Sequence, residues 1–323
     1  MTDVATLVRA HLGKSIARSD RVHDGNQKET YRSVLEDGRT VFVQLGDAGI
    51  RHEIALHRDL VARSVLPVPT VLAAGRTDER ALFITEAIPG GRLTDALPEL
   101  DHDERTAVCR TLGRYLARLH AAYAFGGHGY VIAADGDLVV DRPRSARSAV
   151  TDLLDRGLAA LPPALADLRR PVRSAVARSA IPVDAAARLY PWDFRPGNMR
   201  WHDGDVTVLD WGTPMAAPAV VGVAKAMYVS LDWFDLTAYR PAFLAGYRSV
   251  RRLTADPAYW RVASVLAVVR SAVDGRGAVT RPYHPMADES TAIAFHRSHL
   301  ERLLGDPPEG PNGLTRADPT GAA

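Results

Sequence analysis

The sequence has one cysteine and no long apolar run, and each absence excludes a class of protein. A single cysteine cannot form an internal disulfide framework or a metal site built from cysteines. Cys109 lies among apolar residues on a predicted helix, so we expect a buried thiol rather than a nucleophile. The longest mostly apolar runs, such as Val262–Val269, are far shorter than the ~20 residues of a membrane span. The N-terminal segment also lacks the apolar core of a signal peptide. We therefore expect a cytoplasmic protein without a membrane partner.

An excess of charge of either sign is also missing, because 40 basic residues face 38 acidic ones. No basic stripe carries interleaved aromatic residues, so nucleic acid is not an expected partner. Lysine is scarce: Lys14, Lys28 and Lys225 are the only three, and any step that needs a lysine has three candidates. The length of 323 residues, with 46% apolar and 24% charged residues, fits a globular chain of one bilobal domain or two compact ones. Nothing in the sequence specifies an oligomeric state.

The first ninety residues predict a small antiparallel sheet with one helix. Apolar and β-branched runs alternate with Asp-Gly turn signals, which favour hairpins. The predicted strands are Ser15–Val22, Thr30–Leu35, Thr40–Leu45, Thr70–Ala74 and Ala81–Glu86. Between the third and fourth strands the period changes to that of a helix, from Ile50 to Ser64, which Pro67 and Pro69 follow.

After a break at Ala87–Gly91 the pattern is mostly helical. Asp101 and Glu104 form a predicted capping box for a helix that ends near His120. The later helical regions are 149–187, interrupted by prolines, and 220–304, and a hairpin of Met199–His202 with Val206–Leu209 lies between them. We therefore predict an N-terminal lobe of residues 1–87, a hinge at 88–91, a larger, mainly helical lobe at 92–304, and a loose tail at 305–323.

The densest chemical signal is the segment from Tyr190 to Gly212. It contains Asp193, then Asn198 five residues later, then the predicted hairpin and Asp210. Phosphoryl transfer from ATP needs these residue types, since one aspartate orients the attacking hydroxyl and accepts its proton. A second carboxylate and an amide, here Asp210 and Asn198, hold the magnesium ions that bridge the phosphates. Arg195 could stabilise charge on the transferred phosphoryl group.

These motifs resemble the aminoglycoside phosphotransferase and choline kinase-like family. The run from Asp193 to Asn198 is similar to its catalytic loop, and Leu209-Asp210-Trp211-Gly212 to its metal-binding motif. Leu66-Pro67-Val68-Pro69, the helix ending in Leu119-His120 and the hinge starting at Glu86 follow the family's order. The resemblance covers roughly residues 15 to 215. It implies an α+β, bilobal, protein-kinase-like fold with ATP between a small sheet lobe and a larger helical lobe.

The same resemblance implies positions for the nucleotide. Backbone groups of Glu86 and Ile88 would contact the adenine. The loop that contains Gly25 and Asn26 would cover the phosphates with its N–H groups, and Glu53 would occupy the ion-pairing position on the N-lobe helix. His120 is a family landmark that we expect to be a buried hydrogen-bonding residue.

Three positions depart from the family pattern. Gln44 stands where the third strand usually carries a lysine for the α- and β-phosphates. Pro191 replaces the histidine two residues before Asp193, and the segment after Gly212 lacks the usual acidic residues. We predict that Lys28 replaces the missing lysine and pairs with Glu53, since a lysine side chain reaches about 6 Å from the adjacent strand. The with-no-lysine protein kinases use a comparable relocation. The alternative is an exposed loop lysine, with arginine or magnesium neutralising the phosphates.

The sequence thus predicts an ATP- and Mg²⁺-dependent phosphotransferase that acts on a hydroxyl group of a small molecule. From Trp211 onward the chain has twelve basic and ten acidic residues, which favours a neutral or anionic acceptor over a polycationic one. A kinase-like enzyme acting on Ser or Thr of a precursor peptide stays open. A nucleotide-binding pseudokinase without turnover also stays open, and Gln44 favours it. The joint presence of Asp193, Asn198 and Asp210 favours the enzyme.

Overall fold

The computed structural model describes residues 3–22, 28–47, 49–76, 80–179, 181–182, 185–190, 192–274, 277–282 and 288–305. The chain divides into two compact units. The first comprises residues up to 96 together with 131–139 and 196–214, and the second comprises 97–130, 140–195 and the remainder from 215 onward. The loose tail predicted at 305–323 lies outside the described residues beyond Gly305.

The described residues form ten helices and thirteen strands, besides short 3-10 turns. The helices are α1 (Val4–Leu12), α2 (Ile50–Ala62), α3 (Leu93–Ala96), α4 (His102–Ala122), α5 (Ala146–Ala160), α6 (Arg169–Ala177), α7 (Ala219–Ser230), α8 (Arg240–Arg248), α9 (Pro257–Val269) and α10 (Glu289–Gly305). The strands are β1 (Ile16–Val22), β2 (Glu29–Leu35), β3 (Thr40–Gly46), β4 (Val71–Arg76), β5 (Ala81–Glu86), β6 (Gly91–Arg92), β7 (Ala124–Phe125), β8 (Gly129–Ala134), β9 (Asp137–Val140), β10 (Ala187–Tyr190), β11 (Met199–His202), β12 (Asp205–Val208) and β13 (Met215–Pro218).

The first unit is built on an antiparallel sheet in the order β1-β2-β3-β5-β4. Side chains alternate between the two faces of each strand. Val43 and Ile84 lie on the face that packs against α1, whereas Phe83 packs with Ile50 and Ile54 of α2 on the other face. The predicted sheet and the helix that begins at Ile50 are therefore present, and α2 covers the face opposite to α1.

The prediction of a single N-lobe helix is wrong, because α1 precedes the sheet. Asp3 caps α1 by accepting a hydrogen bond from Ala5 N, and Val4, Leu7 and Val8 bury its apolar face against the sheet. A nine-residue helix is too short to be stable alone, and packing on the sheet supplies its stability.

A second, smaller sheet in the first unit has the order β12-β11-β6. The β11–β12 hairpin turns at Asp203 and Gly204, whose φ angles of +47° and +91° fit a primed hairpin turn. The sequence predicted this hairpin from the Asp-Gly pair. The second strand of the hairpin, β12, leads directly into Leu209 and Asp210.

The second unit is mainly helical, but it also contains strands that were not predicted from the sequence. Strands β7, β10 and β13 pair in that order, and β13 continues the sheet with Gly129 and Tyr130 of β8. Helices α4 and α8 approach so closely that a Cβ at Gly113 would lie 1.9 Å from Phe243 O. In the part of the chain that the structure describes, no helix is long and apolar enough to cross a membrane.

Candidate functional site

The β11–β12 hairpin holds the two proposed metal ligands close to each other in the first unit. Asn198 precedes β11 and Asp210 follows β12, and Leu209 N donates a hydrogen bond of 2.9 Å to Asn198 O. Gly212 N donates to Asp210 Oδ1 at 2.9 Å, and its φ of +58° is one that glycine adopts without strain. The motif Asp210-Trp211-Gly212 therefore fixes the Asp210 carboxylate against its own backbone.

Lys28 forms an ion-pair cluster with two carboxylates. Its Nζ lies 2.6 Å from Glu53 Oε1 on α2 and 3.1 Å from Asp210 Oδ2. Only 10% of the Lys28 side chain and 8% of the Glu53 side chain are exposed. The sequence predicted the pairing of Lys28 with Glu53, and the structure confirms that contact. The alternative of an exposed loop lysine is wrong for this side chain.

Strand register explains why Lys28 reaches this position. The Cα partner of Gln44 on β3 is Thr30 on β2, so the two residues lie on the same face of the sheet. Gln44 is also paired with Phe83, which faces α2. Lys28 immediately precedes β2, two residues before Thr30, and its contact with Glu53 of α2 places its side chain on that same face. A lysine just before β2 therefore extends over the sheet face that α2 covers, which is also the face of Gln44.

The charges of the cluster shift one another's pKa values. Burial alone would lower the pKa of Lys28, but Asp210 and Glu53 outweigh it, so the pKa is raised and the ammonium stays charged. Burial raises the pKa of Glu53, and the negative charge of Asp210 adds to this. Burial also acts to raise the pKa of Asp210, yet Lys28 and the Gly212 N–H bring it below its usual value. Lys28 thus stabilises an ionised Asp210.

His57 belongs to the same region and is not among the residues predicted from the sequence. It lies one turn after Glu53 on α2, is fully buried, and its Nε2 is 2.7 Å from Pro69 O. Burial lowers its pKa, so the ring is neutral and Nε2 donates this hydrogen bond. Pro67 O accepts from Val208 N of β12. The Pro67–Pro69 segment therefore connects α2 to the hairpin that carries Asp210. In the sequence, the four-residue spacing of Glu53 and His57, which places both on one face of a helix, was the signal that could have identified His57.

Asp210 and Asn198 have the donor chemistry that Mg²⁺ requires. Mg²⁺ prefers hard oxygen ligands and is held in kinases by one or two carboxylates together with phosphate oxygens. Asp210 offers a carboxylate fixed by Gly212, and Asn198 offers an amide oxygen on a residue anchored by Leu209. The residues present therefore fit a magnesium ion.

Asp193 and Arg195 lie in the second unit, on a loop anchored to α7. Arg195 N donates to Asp193 O at 2.8 Å, which closes a tight turn. Ser230 on α7 donates a hydrogen bond of 2.6 Å to Phe194 O, and the Phe194 side chain is 1% exposed. Asp193 and Arg195 themselves are half-buried. The predicted convergence of Asp193 with Asn198 and Asp210 stays a prediction, since these residues belong to different units.

The remaining predicted nucleotide residues have defined surroundings in part. Glu86 ends β5, its N–H donates to Thr70 O and its Oε1 accepts from Thr70 N, so a contact with adenine would use its carbonyl oxygen. Ile88 is half-buried in the segment that follows. Gly25 and Asn26, predicted to cover the phosphates, lie outside the described residues, as does Pro191.

Two residues that the sequence placed in the core are buried as expected. Cys109 is fully buried and burial raises the pKa of its thiol to about 12, which excludes a thiolate nucleophile at neutral pH. His120 is fully buried with Nδ1 2.7 Å from Tyr247 Oη, and burial lowers its pKa to about 3. Both are parts of the helical core.

Comparisons with known proteins agree with this fold. The model of a phosphotransferase enzyme family (APH) matches residues 20–262. A thermostable mutant of an aminoglycoside phosphotransferase, in ternary complex with AMP-PNP and hygromycin B, is 14% identical with a TM-score of 0.65, over 94% of this chain and 98% of that chain. A spectinomycin phosphotransferase in complex with ADP and spectinomycin is 13% identical with a TM-score of 0.60, over 94% and 97%.

A third solved structure, an amicoumacin kinase in complex with AMP-PNP, Ca²⁺ and its ligand, is 17% identical with a TM-score of 0.59, over 92% of each chain. No curated protein matches the sequence significantly. The similarity to these structures confirms the predicted α+β, protein-kinase-like fold.

Proposed function

The chain belongs to the phosphotransferase enzyme family, and from that premise we propose that it transfers a phosphoryl group from ATP, with Mg²⁺, to a hydroxyl group of a neutral or anionic small molecule. The observation that carries the proposal is the cluster of Lys28, Glu53 and Asp210. It supplies the lysine that the third strand lacks. The three similar solved structures bind ATP analogues or ADP, and each carries a small molecule.

The nucleotide side of the proposal uses Lys28 and Gln44. The Lys28 ammonium would contact the α- and β-phosphates and offset their charge, while Glu53 keeps it oriented. The Gln44 amide, on the same sheet face, could donate a hydrogen bond there. Backbone N–H groups around Gly25 and Asn26 would cover the phosphates, and the Glu86 carbonyl and the Ile88 backbone would contact the adenine.

Asp210 and Asn198 would hold magnesium. The metal, when bound, neutralises charge on the phosphate oxygens. Because Gly212 fixes Oδ1 of Asp210, the carboxylate needs little reorganisation to bind a cation. Lys28, which pairs with Asp210 Oδ2, favours the ionised form that a metal ligand must have.

Asp193 and Arg195 would serve the acceptor side. As the acceptor oxygen attacks the γ-phosphorus, the hydroxyl proton passes to the Asp193 carboxylate, the new P–O bond forms and the bond to ADP breaks. Arg195 would stabilise the charge on the transferred group. Ser230 and the buried Phe194 keep this loop in place.

Two measurements on the purified chain test the proposal. Thermal denaturation with ATP and Mg²⁺ should show stabilisation, and an ATP-consumption assay over a panel of alcohols should show turnover. Stabilisation without turnover on any alcohol would favour the pseudokinase. The absence of both would contradict the proposal.

Two variants assign the roles of the carboxylates. Asp193→Asn should lower turnover by about 10²–10⁴-fold while ATP still binds, because it removes the proton acceptor alone. Asp210→Asn should weaken the binding of magnesium nucleotide, measured as a smaller thermal shift. If both variants kept the wild-type rate, the site assignment would be wrong.

A further inference from the structure

Lys225 is a buried basic residue on α7 that the nucleotide site does not use. Every residue of α7 after Ala219 is buried, and Lys225 is 4% exposed. Lysine is almost never buried without a partner, because removing an ammonium from water is costly. Its position in an otherwise apolar helix therefore calls for a physical reason.

The contacts of Lys225 lead to the loop that carries Asp193. Its Nζ donates a hydrogen bond of 2.5 Å to Ser271 Oγ and lies 5.0 Å from the ring centroid of Trp192. The guanidinium of Arg270 lies 4.9 Å from the centroid of the same ring. Two cations therefore contact the indole of the residue that precedes Asp193.

The charge around Lys225 is unbalanced. Among the described residues, Lys225 forms no ion pair with a carboxylate, and its hydrogen bond goes to the neutral hydroxyl of Ser271. Asp193 attracts the ammonium from farther away, whereas Arg270 and Arg195 repel it. Lys225 also acts electrostatically on His296 of α10, and that ring is neutral because burial lowers its pKa to about 4. The charges that act on Lys225 are thus one carboxylate against two further cations.

The ammonium is also short of hydrogen-bond acceptors. It has three N–H donors, and within the described part of the chain Ser271 Oγ accepts one of them. Ser271 Oγ in turn donates to Ala267 O, so its own proton is engaged. Burial lowers the pKa of Lys225 to about 7; Asp193 opposes this shift, and the two arginines add to it. An anion beside Lys225 would supply both the missing charge and the missing acceptor.

The residues around Lys225 are partly open to solvent, although Lys225 itself is buried. Trp192, Asp193, Arg195 and Arg270 are each half-buried. The planar fork of Arg270 matches a carboxylate, and the Lys225 ammonium adds a point charge. A polycationic molecule would meet repulsion at the same place.

We propose that Lys225 and Arg270, stacked on Trp192, bind a carboxylate group of the acceptor and thereby place its hydroxyl at Asp193. The acceptor is then a hydroxy carboxylate, a narrower class than the neutral or anionic alcohols of the proposed function, on which this inference rests. Lys225 and Arg270 determine specificity, and Asp193 carries the proton transfer.

The test uses a panel of small hydroxy acids, each matched with its neutral primary amide and with an amino alcohol of the same length. ATP consumption is measured for the wild type, Lys225→Met and Arg270→Met. Lys14→Met is the control, since Lys14 is an exposed lysine in the first unit whose side chain is 48% accessible. Methionine keeps most of the length of the lysine side chain without its charge and suits an apolar helix, and thermal denaturation of each variant verifies folding.

We expect the acids to be the best acceptors. Lys225→Met should raise KM for them by about tenfold to a hundredfold, the usual effect of losing a charge-assisted hydrogen bond, and leave KM for ATP unchanged. For the amides, Lys225→Met should change KM by less than about threefold. Any of three results would overturn the assignment. The enzyme could turn over amides or amino alcohols alone, Lys225→Met could raise KM equally for acids and amides, or it could raise KM for ATP instead.

Direct binding separates this inference from the proposed function. The protein is titrated with glycerate and with glyceramide in the absence of nucleotide, and binding is followed by tryptophan fluorescence. The variant Trp192→Phe identifies the part of the signal that comes from Trp192. Glycerate should bind at least about tenfold more tightly than glyceramide, and Lys225→Met should abolish the difference. Equal binding overturns the inference even if ATP is consumed. Preferential glycerate binding without any ATP consumption would refute the phosphotransferase while leaving the anion site in place.

Discussion

Lys28→Ala is the substitution that most directly tests how this chain operates without a lysine on its third strand. The change removes an ammonium that lies 2.6 Å from Glu53 and 3.1 Å from Asp210. Glu53 and Asp210 would then face each other without a cation between them. Both stability and turnover should respond.

The size of the stability effect follows from burial. Removing one partner of a buried ion pair costs about 3–5 kcal/mol, because the remaining charge is uncompensated. Asp210 is 31% exposed and Glu53 can take up a proton, since burial and Asp210 already raise its pKa. We therefore expect the lower end, about 3 kcal/mol, measured as a lower urea midpoint at an unchanged m value.

The effect on catalysis is measured separately. Lys28→Ala should raise KM for ATP and lower turnover about tenfold or more, which corresponds to about 1.4 kcal/mol of lost transition-state stabilisation. Adding Gln44→Lys should restore part of both losses, because Gln44 and Thr30 are cross-strand partners on the face where Lys28 lies. A lysine at 44 would thus reach the same carboxylates.

Lys14→Ala is the matched control for this pair of variants. Lys14 Nζ lies 3.5 Å from Asp37 at the surface, and such pairs contribute less than about 1 kcal/mol. Its turnover should equal that of the wild type. If Lys28→Ala lost stability but kept the wild-type kcat and KM for ATP, the cluster would be structural only and the relocation hypothesis would fail.

Three further predictions follow from other parts of the molecule. Kanamycin should not be an efficient acceptor, because the cations Lys225, Arg270 and Arg195 lie around the loop of Asp193; phosphorylation at a micromolar KM would contradict this. Burial lowers the pKa of His120 to about 3 in the native chain, whereas its value in the unfolded chain is 6.5. Below pH 6.5 the unfolded chain therefore binds a proton that the native chain does not, and the free energy of unfolding should fall by up to about 1.4 kcal/mol per pH unit as the pH drops. Urea titrations at several pH values should show a shallower slope for His120→Asn, and an unchanged slope would refute the assignment. Gly246→Ala should cost at least about 1–3 kcal/mol, since its Cβ would lie 1.9 Å from Arg110 O; an unchanged urea midpoint would mean that α4 and α8 are not so close.

Local sequence signals were sufficient for many elements of the fold. The Asp203-Gly204 turn, the capping box of Asp101 and Glu104 and the strand Ala81–Glu86 occur where the sequence predicted them. Each depends on residues close together in the chain, such as a glycine that adopts positive φ or a side chain that accepts from a nearby N–H. The kinase-like order of the motifs was readable for the same reason.

Short elements that depend on distant partners were not predictable from the sequence. Helix α1 is stable because the sheet covers Leu7 and Val8, and β10 exists because residues 215–218 pair with it. Without a turn signal beside it, a four-residue strand such as β10 carries too little periodicity to be distinguished from a loop. Its hydrogen-bond partners lie elsewhere in the chain, and only the folded chain brings them together.

The three lysines show most clearly what the sequence determines and what the tertiary structure decides. The sequence alone determined that only three exist, and it nominated Lys28 to replace the lysine missing at Gln44. The tertiary structure decided that Lys28 is buried between Glu53 and Asp210, and that Lys225 lies beneath Trp192. Residue type and spacing specify which chemistry is available. The packing of helices and strands that are far apart in sequence decides which charges come into contact. Burial and distance, which only the tertiary structure fixes, then set the strength of each ion pair.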